Sequence, residues 1–268
     1  MKTITKILCL ALAVCMVLTC AACGGSEEDS KKVLNVATNA EFEPFESIDE
    51  KTGELVGFDI ELMQAIGDKI GYTVKFDNME FDGVVAAVTQ GSCEAAISGL
   101  TINAKRSKMV DFCDAYYSGA AQILIVAKDD SHYTGTTKEE LDKQLKNQTI
   151  GVCSGFTGQF YAEGDEEWGF KKIEGANIKI YENISLAIKD LENNNISAII
   201  MDDTPAKEAV AQNADSAKVI DIPLTVEEYG IAVEKGNTDL AKKINKALKE
   251  LKEDGTYDKL LAKYELAE

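Results

Sequence analysis

Short β-rich runs alternate with stretches of helical periodicity along this chain, and no other feature restricts its fold as much. Val33–Thr38 reads as a strand, Leu62, Ile66 and Ile70 share one face of a helix opened near Asp59, and Tyr72–Phe76 is a strand again. Asp82 and Gly83 open a helix reaching about Gln90, and Ala95-Ala96-Ile97 reads as a buried strand. The second half repeats the order: strand Thr149–Val152, a helix near Gly158, strand Ile178–Tyr181, helix Ile184–Leu191, strand Ala198–Met201 and a helix from Pro205. Such alternation places helices over central sheets, so the class is α/β, and its recurrence implies two similar lobes. The run Val88–Ser98 faintly echoes Leu191–Met201: helix end, polar turn, small residue, strand. Each of those strands runs into a polar loop, Gly99-Leu100-Thr101 or Asp202-Asp203-Thr204. Ligands of α/β sheets collect beyond the carboxyl ends of strands, which makes these loops the expected lining of a cleft.

The N-terminus is expected to be an export signal. Lys2 and Lys6 precede an apolar run from Ile7 to Leu18, and small residues Ala21-Ala22 lead to Cys23, Gly24 and Gly25. A membrane-spanning helix needs roughly 20 apolar residues and usually a basic flank, whereas the flank here is Glu27-Glu28-Asp29. Cys20-Ala21-Ala22-Cys23 resembles a bacterial lipobox, although Cys20 stands where Leu or another aliphatic is usual. Residues 1–22 are thus expected to be a signal peptide, Cys23 a lipidation site and residues 23–32 a flexible tether, holding an exported protein to the outer face of the cell membrane.

The formal net charge of −18 becomes more negative still once Lys2 and Lys6 are removed with the leader. A chain so acidic is repelled by phosphate backbones and anionic lipid heads, which argues against nucleic-acid partners. Four of the seven cysteines lie in the leader or at its cut site. The other three, Cys93, Cys113 and Cys153, are widely spaced and form neither a disulfide framework nor a metal-ligand pattern. No phosphate loop, zincin motif or nucleophile elbow is present, so neither cofactor nor metal is expected. His132, the single histidine, sits in the polar run Asp129–Tyr133, where an exposed loop is expected, and Cys153 ends a strand, where a core thiol is the more frequent outcome.

Of 28 basic residues only Arg106 is an arginine. Lysine is a flexible point charge, while the planar guanidinium fork holds a carboxylate through two parallel hydrogen bonds, so Arg106 is a candidate carboxylate clamp. It closes the segment Ser98-Gly99-Leu100-Thr101-Ile102-Asn103-Ala104-Lys105-Arg106, with Asp111-Phe112 behind it. Together with the run Ala37–Glu46, Gly57-Phe58-Asp59-Ile60-Glu61-Leu62, Gly155-Phe156-Thr157-Gly158 and Glu228-Tyr229-Gly230-Ile231-Ala232, this segment resembles the family 3 extracellular solute-binding proteins, the amino-acid receptors of ABC importers. The resemblance covers nearly all of the chain after the leader, as far as Asp254-Gly255-Thr256-Tyr257.

The resemblance implies a type II periplasmic-binding-protein-like fold: two α/β lobes joined by two hinge strands, near Tyr116–Ala120 and Leu224–Tyr229. Lobe 1 would comprise residues 33–117 plus 230–268 and lobe 2 residues 118–229, with helix Asp239–Leu251 returning to lobe 1. A free amino acid presents a carboxylate and an ammonium on adjacent atoms, so its receptor needs a fixed cation, fixed donors and a fixed anion converging on one point. The implied contacts to the carboxylate are Arg106 and Thr101 from one lobe and Thr157 from the other; Gly99 would add a carbonyl, and Ser98 and Phe156 are further ligand-binding positions. Asp203 matches the carboxylate that holds the α-ammonium; the alternative role for it is a cap for the helix opened by Pro205. Phe42 and Phe81 match aromatic walls around the ligand side chain, although Phe81 also suits a core position. Asn39 matches the position that reads the ligand's polar end and leans toward an amide, whereas Asp202 leaves a cationic ligand open.

The expected function is that of a monomeric receptor that captures a free polar L-amino acid, such as glutamine, arginine or cystine, and delivers it to a membrane permease without covalent chemistry. The alternative is an enzyme of the cyclohexadienyl dehydratase type on the same fold, for which no dedicated general acid is evident in the sequence.

Overall fold

The computed structural model describes residues 32–267. The expected signal peptide, the candidate lipidation site Cys23 and the tether up to residue 31 lie outside the described residues, and Lys32 already begins a strand. Numbered along the chain, a first sheet holds β1 (Lys32–Thr38), β5 (Tyr72–Asn78), β6 (Ala95–Ala96), β7 (Val110–Ala120) and β13 (Glu227–Glu234) in the order β5-β1-β6-β13-β7. A second holds β8 (Gln122–Ala127), β9 (Thr149–Cys153), β10 (Asn177–Tyr181), β11 (Ala198–Asp202) and β12 (Ala217–Ile220) in the order β10-β9-β11-β8-β12. The short β2 (Glu41–Phe42), β3 (Glu46–Ile48) and β4 (Leu55–Val56) make a small third sheet. Two α/β lobes result, as the alternation implied.

Strand β8, which sequence reading passes over, is buried along almost its whole length and therefore carries an unbroken apolar run instead of alternation. Ala121 alone separates β7 from β8, and the chain returns between β12 and β13. These two crossings are stitched together: the Gln122 amide donates to Thr225 Oγ1 at 2.8 Å and the Leu224 amide to the Gln122 carbonyl at 2.8 Å. Antiparallel pairing of β7 with β13 runs from Glu234 opposite Val110 to Glu227 opposite Ala120, so both strands stay in the first sheet up to the crossing itself.

The helix Phe58–Ile70 buries Phe58, Leu62, Met63 and Ile66, the face that its 3.6-residue period predicts, and stops where Gly71 takes the left-handed conformation (φ 79°). The helix Thr238–Glu253 packs against it, with Lys69 paired to Asp254 at 2.8 Å, which returns the C-terminal chain to the first lobe. Among the described residues no helix is long and apolar enough to cross a membrane.

Candidate functional site

The carboxyl ends of β6 and β11 and the turn after β9 converge on one small cavity. Its lining is Phe42, Phe81, Gly99, Thr101 and Arg106 from the side of the first sheet and Phe156, Thr157 and Asp202 from the side of the second. Arg106 stands on the short helix Ala104–Met109, whose start is fixed by Asn103: its Oδ1 accepts from the Arg106 amide at 2.8 Å. The buried guanidinium donates to the Thr101 carbonyl at 3.0 Å and, across the cleft, to the Gly155 carbonyl at 3.2 Å. It lies 5.4 Å from the Phe81 ring centroid and 5.2 Å from that of Trp168. Burial pulls its pKa down to about 10, and the negative charges of Glu227 and Asp202 oppose that fall, so Arg106 carries its charge at neutral pH.

Thr101 donates its single hydroxyl hydrogen to Glu227 Oε2 at 2.7 Å. Its contact with Thr157 Oγ1 at 3.0 Å therefore takes its hydrogen from Thr157. Glu227 opens β13 at the hinge and accepts also from Gln122 Nε2 at 3.1 Å and Thr225 Oγ1 at 2.6 Å. Asp202 ends β11, opposite Gln122 of β8, and accepts from the Tyr229 hydroxyl at 2.8 Å. Desolvation, reinforced by the charge of Glu227, raises the Asp202 pKa to about 7, although hydrogen bonds from Gln122 and Tyr229 lower it.

Two glycines make these approaches possible. Gly99 has φ +50°, and a Cβ there would lie 2.4 Å from the Phe42 ring. Gly155 has φ +74°, and a Cβ there would meet Asp82 Oδ1 of the opposite lobe at 2.2 Å. The Phe156 ring sits 4.5 Å from Phe81 and 5.5 Å from Phe42, so rings from both lobes meet in the middle. The cavity they leave is about 10 Å³, room for one water at most. Anything larger than a water enters only when the lobes separate or these rings turn aside.

The structure brings together Phe42, Phe81, Gly99, Thr101, Arg106, Phe156, Thr157 and Asp202 of the residues singled out in the sequence. Ser98 is turned away: its hydroxyl donates to Glu46 Oε1 at 2.7 Å inside the first lobe. The Gly99 amide likewise points inward, to Asp59 Oδ2 at 2.9 Å. Asn39 is beside the site but outside its lining, its side-chain amide donating to the Met79 carbonyl at 2.9 Å. Asp203 departs from expectation. It heads the helix Asp203–Gln212, lies 4.0 Å from Lys207, and lines a different, hinge-side cavity of about 690 Å³ with Glu43 and Tyr117. Asp202, not Asp203, is the acid that shares the cavity with Arg106.

Sequence reasoning missed Glu227, Gln122, Tyr229 and Trp168. Tyr229 and Glu227 lay in or next to a quoted motif, and the strand period that buries Glu227 and exposes Glu228 was the available signal. Trp168 carried no local signal. His132 is exposed and Cys93, Cys113 and Cys153 are buried free thiols. Among the described residues no cluster of three or more His, Cys, Asp or Glu is placed to hold a metal.

The pattern that defines the bacterial extracellular solute-binding proteins, family 3, matches residues 34–267. The chain belongs to this family. It is 35% identical over 270 residues to the "Probable histidine-binding protein" of Neisseria gonorrhoeae, covering 97% of this chain and 95% of that protein. The "Arginine-binding extracellular protein ArtP" of Bacillus subtilis is 33% identical over 267 residues, with 97% of each chain covered. Among solved structures, an ancestral arginine-binding protein bound to arginine superposes with a TM-score of 0.76 at 38% identity, over 88% of this chain and 99% of that one. Both relatives and that structure are named as amino-acid-binding proteins, and the family is extracellular, which accords with export.

Proposed function

We propose that this protein is an exported amino-acid receptor that closes its two lobes over one free L-amino acid and presents it to the permease of an ABC importer. The observation that carries this reading is Arg106 bridging the lobes. Its guanidinium reaches a carbonyl on each side, and both threonine hydroxyls, one per lobe, meet beside it. An α-carboxylate inserted there would take over the fork and the two hydroxyls, so closing the lobes and holding the ligand become one event. Asp202 is the anion for the α-ammonium.

The ligand class we assign is a cationic amino acid, arginine or histidine. One buried cation, Arg106, faces two buried acids, Asp202 and Glu227. Glu41, next in sequence to Phe42 of the lining and with its carboxyl held above its usual range by burial and by Glu80 and Glu182, adds negative charge felt at Cys153. The three phenylalanines would bury the methylenes of the side chain and favour its charge. Cys23 is the proposed lipid attachment, and the receptor works as a monomer with lobe boundaries at the two hinge crossings.

A thermal-shift screen against the common L-amino acids and cystine tests the reading. A ligand at about 100 times its Kd should add about 2.7 kcal/mol to the folded state. Arginine or histidine should give the largest shift; silence across the whole panel would refute amino-acid capture. The dehydratase alternative draws support from Asp202, which with its raised pKa is a group in the lining able to hold a proton near neutrality. Prephenate incubated with the protein should be recovered unchanged, and its conversion would make Asp202 an acid catalyst instead of an ammonium holder.

A further inference from the structure

Outside the cavity, the turn Asp165–Phe170 of the second lobe meets the helix Ala104–Met109 of the first. The turn is rigidly built: Asp165 and Phe170 form an antiparallel bridge through N–H···O bonds of 3.0 and 2.9 Å. Asp165 Oδ1 also accepts from the amides of Glu167 at 2.9 Å and Trp168 at 3.2 Å. The indole of Trp168 is stacked on Phe160 with centroids 5.0 Å apart and planes at 19°. All three cations of the helix are engaged. Lys105 pairs with Asp165 at 2.8 Å and lies 4.9 Å from the Phe160 ring centroid, Lys108 pairs with Glu167 at 2.9 Å, and Arg106 carries the Trp168 ring. Phe81 lies near the same guanidinium from the other lobe.

We infer that Asp165–Phe170 is a clasp across the cleft, in which Trp168 is a positioning residue that holds the Arg106 fork in its carboxylate-binding orientation and slows release of the bound amino acid. The inference rests on the receptor reading above and adds to it a set of residues that never touch the ligand. Its physical basis is that a cation between aromatic rings in a water-poor site is held more firmly than one open to solvent. Water admitted on the Trp168 side would screen the attraction between Arg106 and a carboxylate. The indole Nε1 is buried without a hydrogen-bond partner, so the seated clasp leaves one polar group unsatisfied and is a contact that can open. The Lys108–Glu167 pair is exposed on both sides and the Lys105 ammonium faces solvent over a mostly buried Asp165, so both pairs guide closure and weaken with salt, while the indole supplies most of the hold.

The test uses the full chain with L-arginine and L-histidine as probes. Trp168→Ala should raise the dissociation rate about tenfold with little change in association rate. Trp168→Phe should restore most of the loss, and Lys105→Ala with Lys108→Ala should cost a few-fold and remove the salt dependence of release. Urea denaturation without ligand guards against a merely structural role. A dissociation rate within twofold of wild type in Trp168→Ala overturns the inference, and so does a loss that only tracks unfolding.

A second measurement does not depend on ligand capture. Carbodiimide joins an amine to a carboxylate within ion-pair distance, and peptide mass spectrometry should find Lys105 linked to Asp165 and Lys108 to Glu167. These links with no amino acid bound by wild type would defeat the receptor reading and leave only the contact across the cleft standing. Their absence in protein loaded with amino acid and freed of the unbound excess before the carbodiimide is added would defeat the clasp and spare the receptor.

Discussion

The segment Ser98–Thr101 lies against two buried pairs of acids that are made alike. Toward the first lobe, Ser98 donates to Glu46 at 2.7 Å and the Tyr116 hydroxyl to Asp59 at 2.6 Å. Toward the cleft, Thr101 donates to Glu227 at 2.7 Å and the Tyr229 hydroxyl to Asp202 at 2.8 Å. Each pair thus has a hydroxyl on one acid and a tyrosine on the other. They differ in what supplies the missing positive charge. Glu46 and Asp59 are fully buried and interact electrostatically, and burial with the charge of Asp59 raises Glu46 well above the usual range. Glu46 Oε2 and Asp59 Oδ1 have no hydrogen-bond partner, and one proton shared between the two carboxyls would satisfy both. The cleft pair instead faces Arg106, whose charge interacts with both Asp202 and Glu227. Sealed with a proton, the motif becomes a brace under the Ser98-Gly99 turn. Opened to a cation and to the opposite lobe, the same motif becomes a place for a zwitterion.

Removing the brace should produce the largest effect. Asp59→Ala would strand the Gly99 amide and the Tyr116 hydroxyl, each worth about 1–3 kcal/mol when buried unpaired, so we expect a loss of about 2–6 kcal/mol in urea denaturation. Asp59→Asn, which can accept both bonds and donate to Glu46, should recover most of it. An equal loss in the two variants would mean that no shared proton is present.

On the cleft side the central residue is Arg106. Removing one partner of a buried, hydrogen-bonded charge pair costs about 2–5 kcal/mol, so Arg106→Ala should weaken binding more than tenfold and up to about a thousandfold. Arg106→Lys should restore little, because an ammonium does not reproduce the fork. Calorimetry on variants whose circular dichroism matches wild type decides this, and near-wild-type affinity in Arg106→Ala would erase the distinction drawn between the two pairs.

The response to pH should separate empty from loaded protein. Asp202, raised to about 7, binds more protons folded than unfolded between about pH 4 and 7. Its contribution to the stability of the empty protein is therefore full below about pH 4 and lost as the pH rises through about 7. Ligand affinity should move the opposite way, because the α-ammonium requires the ionised acid, and should fall by up to about tenfold per pH unit below 7. Asp202→Asn should flatten both profiles and Asp203→Asn neither. If Asp203→Asn flattened them, Asp203 would regain the ammonium role.

Asn39→Asp should have the smallest effect on binding. The side chain is committed to the Met79 carbonyl, so replacing its donor by an acceptor should cost about 1–3 kcal/mol of stability and alter the ratio of arginine to glutamine affinity less than threefold. A larger change in that ratio would show that the open cleft releases Asn39 toward the ligand.

Much of this protein was legible from residue order alone. Strand and helix periods are local properties, so the alternation of Val33–Thr38, the Leu62/Ile66/Ile70 face and their repetition after Thr149 led to two α/β lobes before any contact was known. The candidate clamp was legible too, because a single arginine among lysines is a compositional fact. Neighbouring residues at the end of a strand point to opposite sides, and nothing local says which side is the cleft. Only the pairing of Asp202 with Gln122 decided that Asp202 enters the cavity while Asp203 leaves it. Glu227, Gln122 and Trp168 stood equally beyond sequence reading. They lie far along the chain from Thr101 and Arg106 and meet them only after two lobes have folded and closed on each other, and the strength of a buried charge or a stacked ring depends on that company.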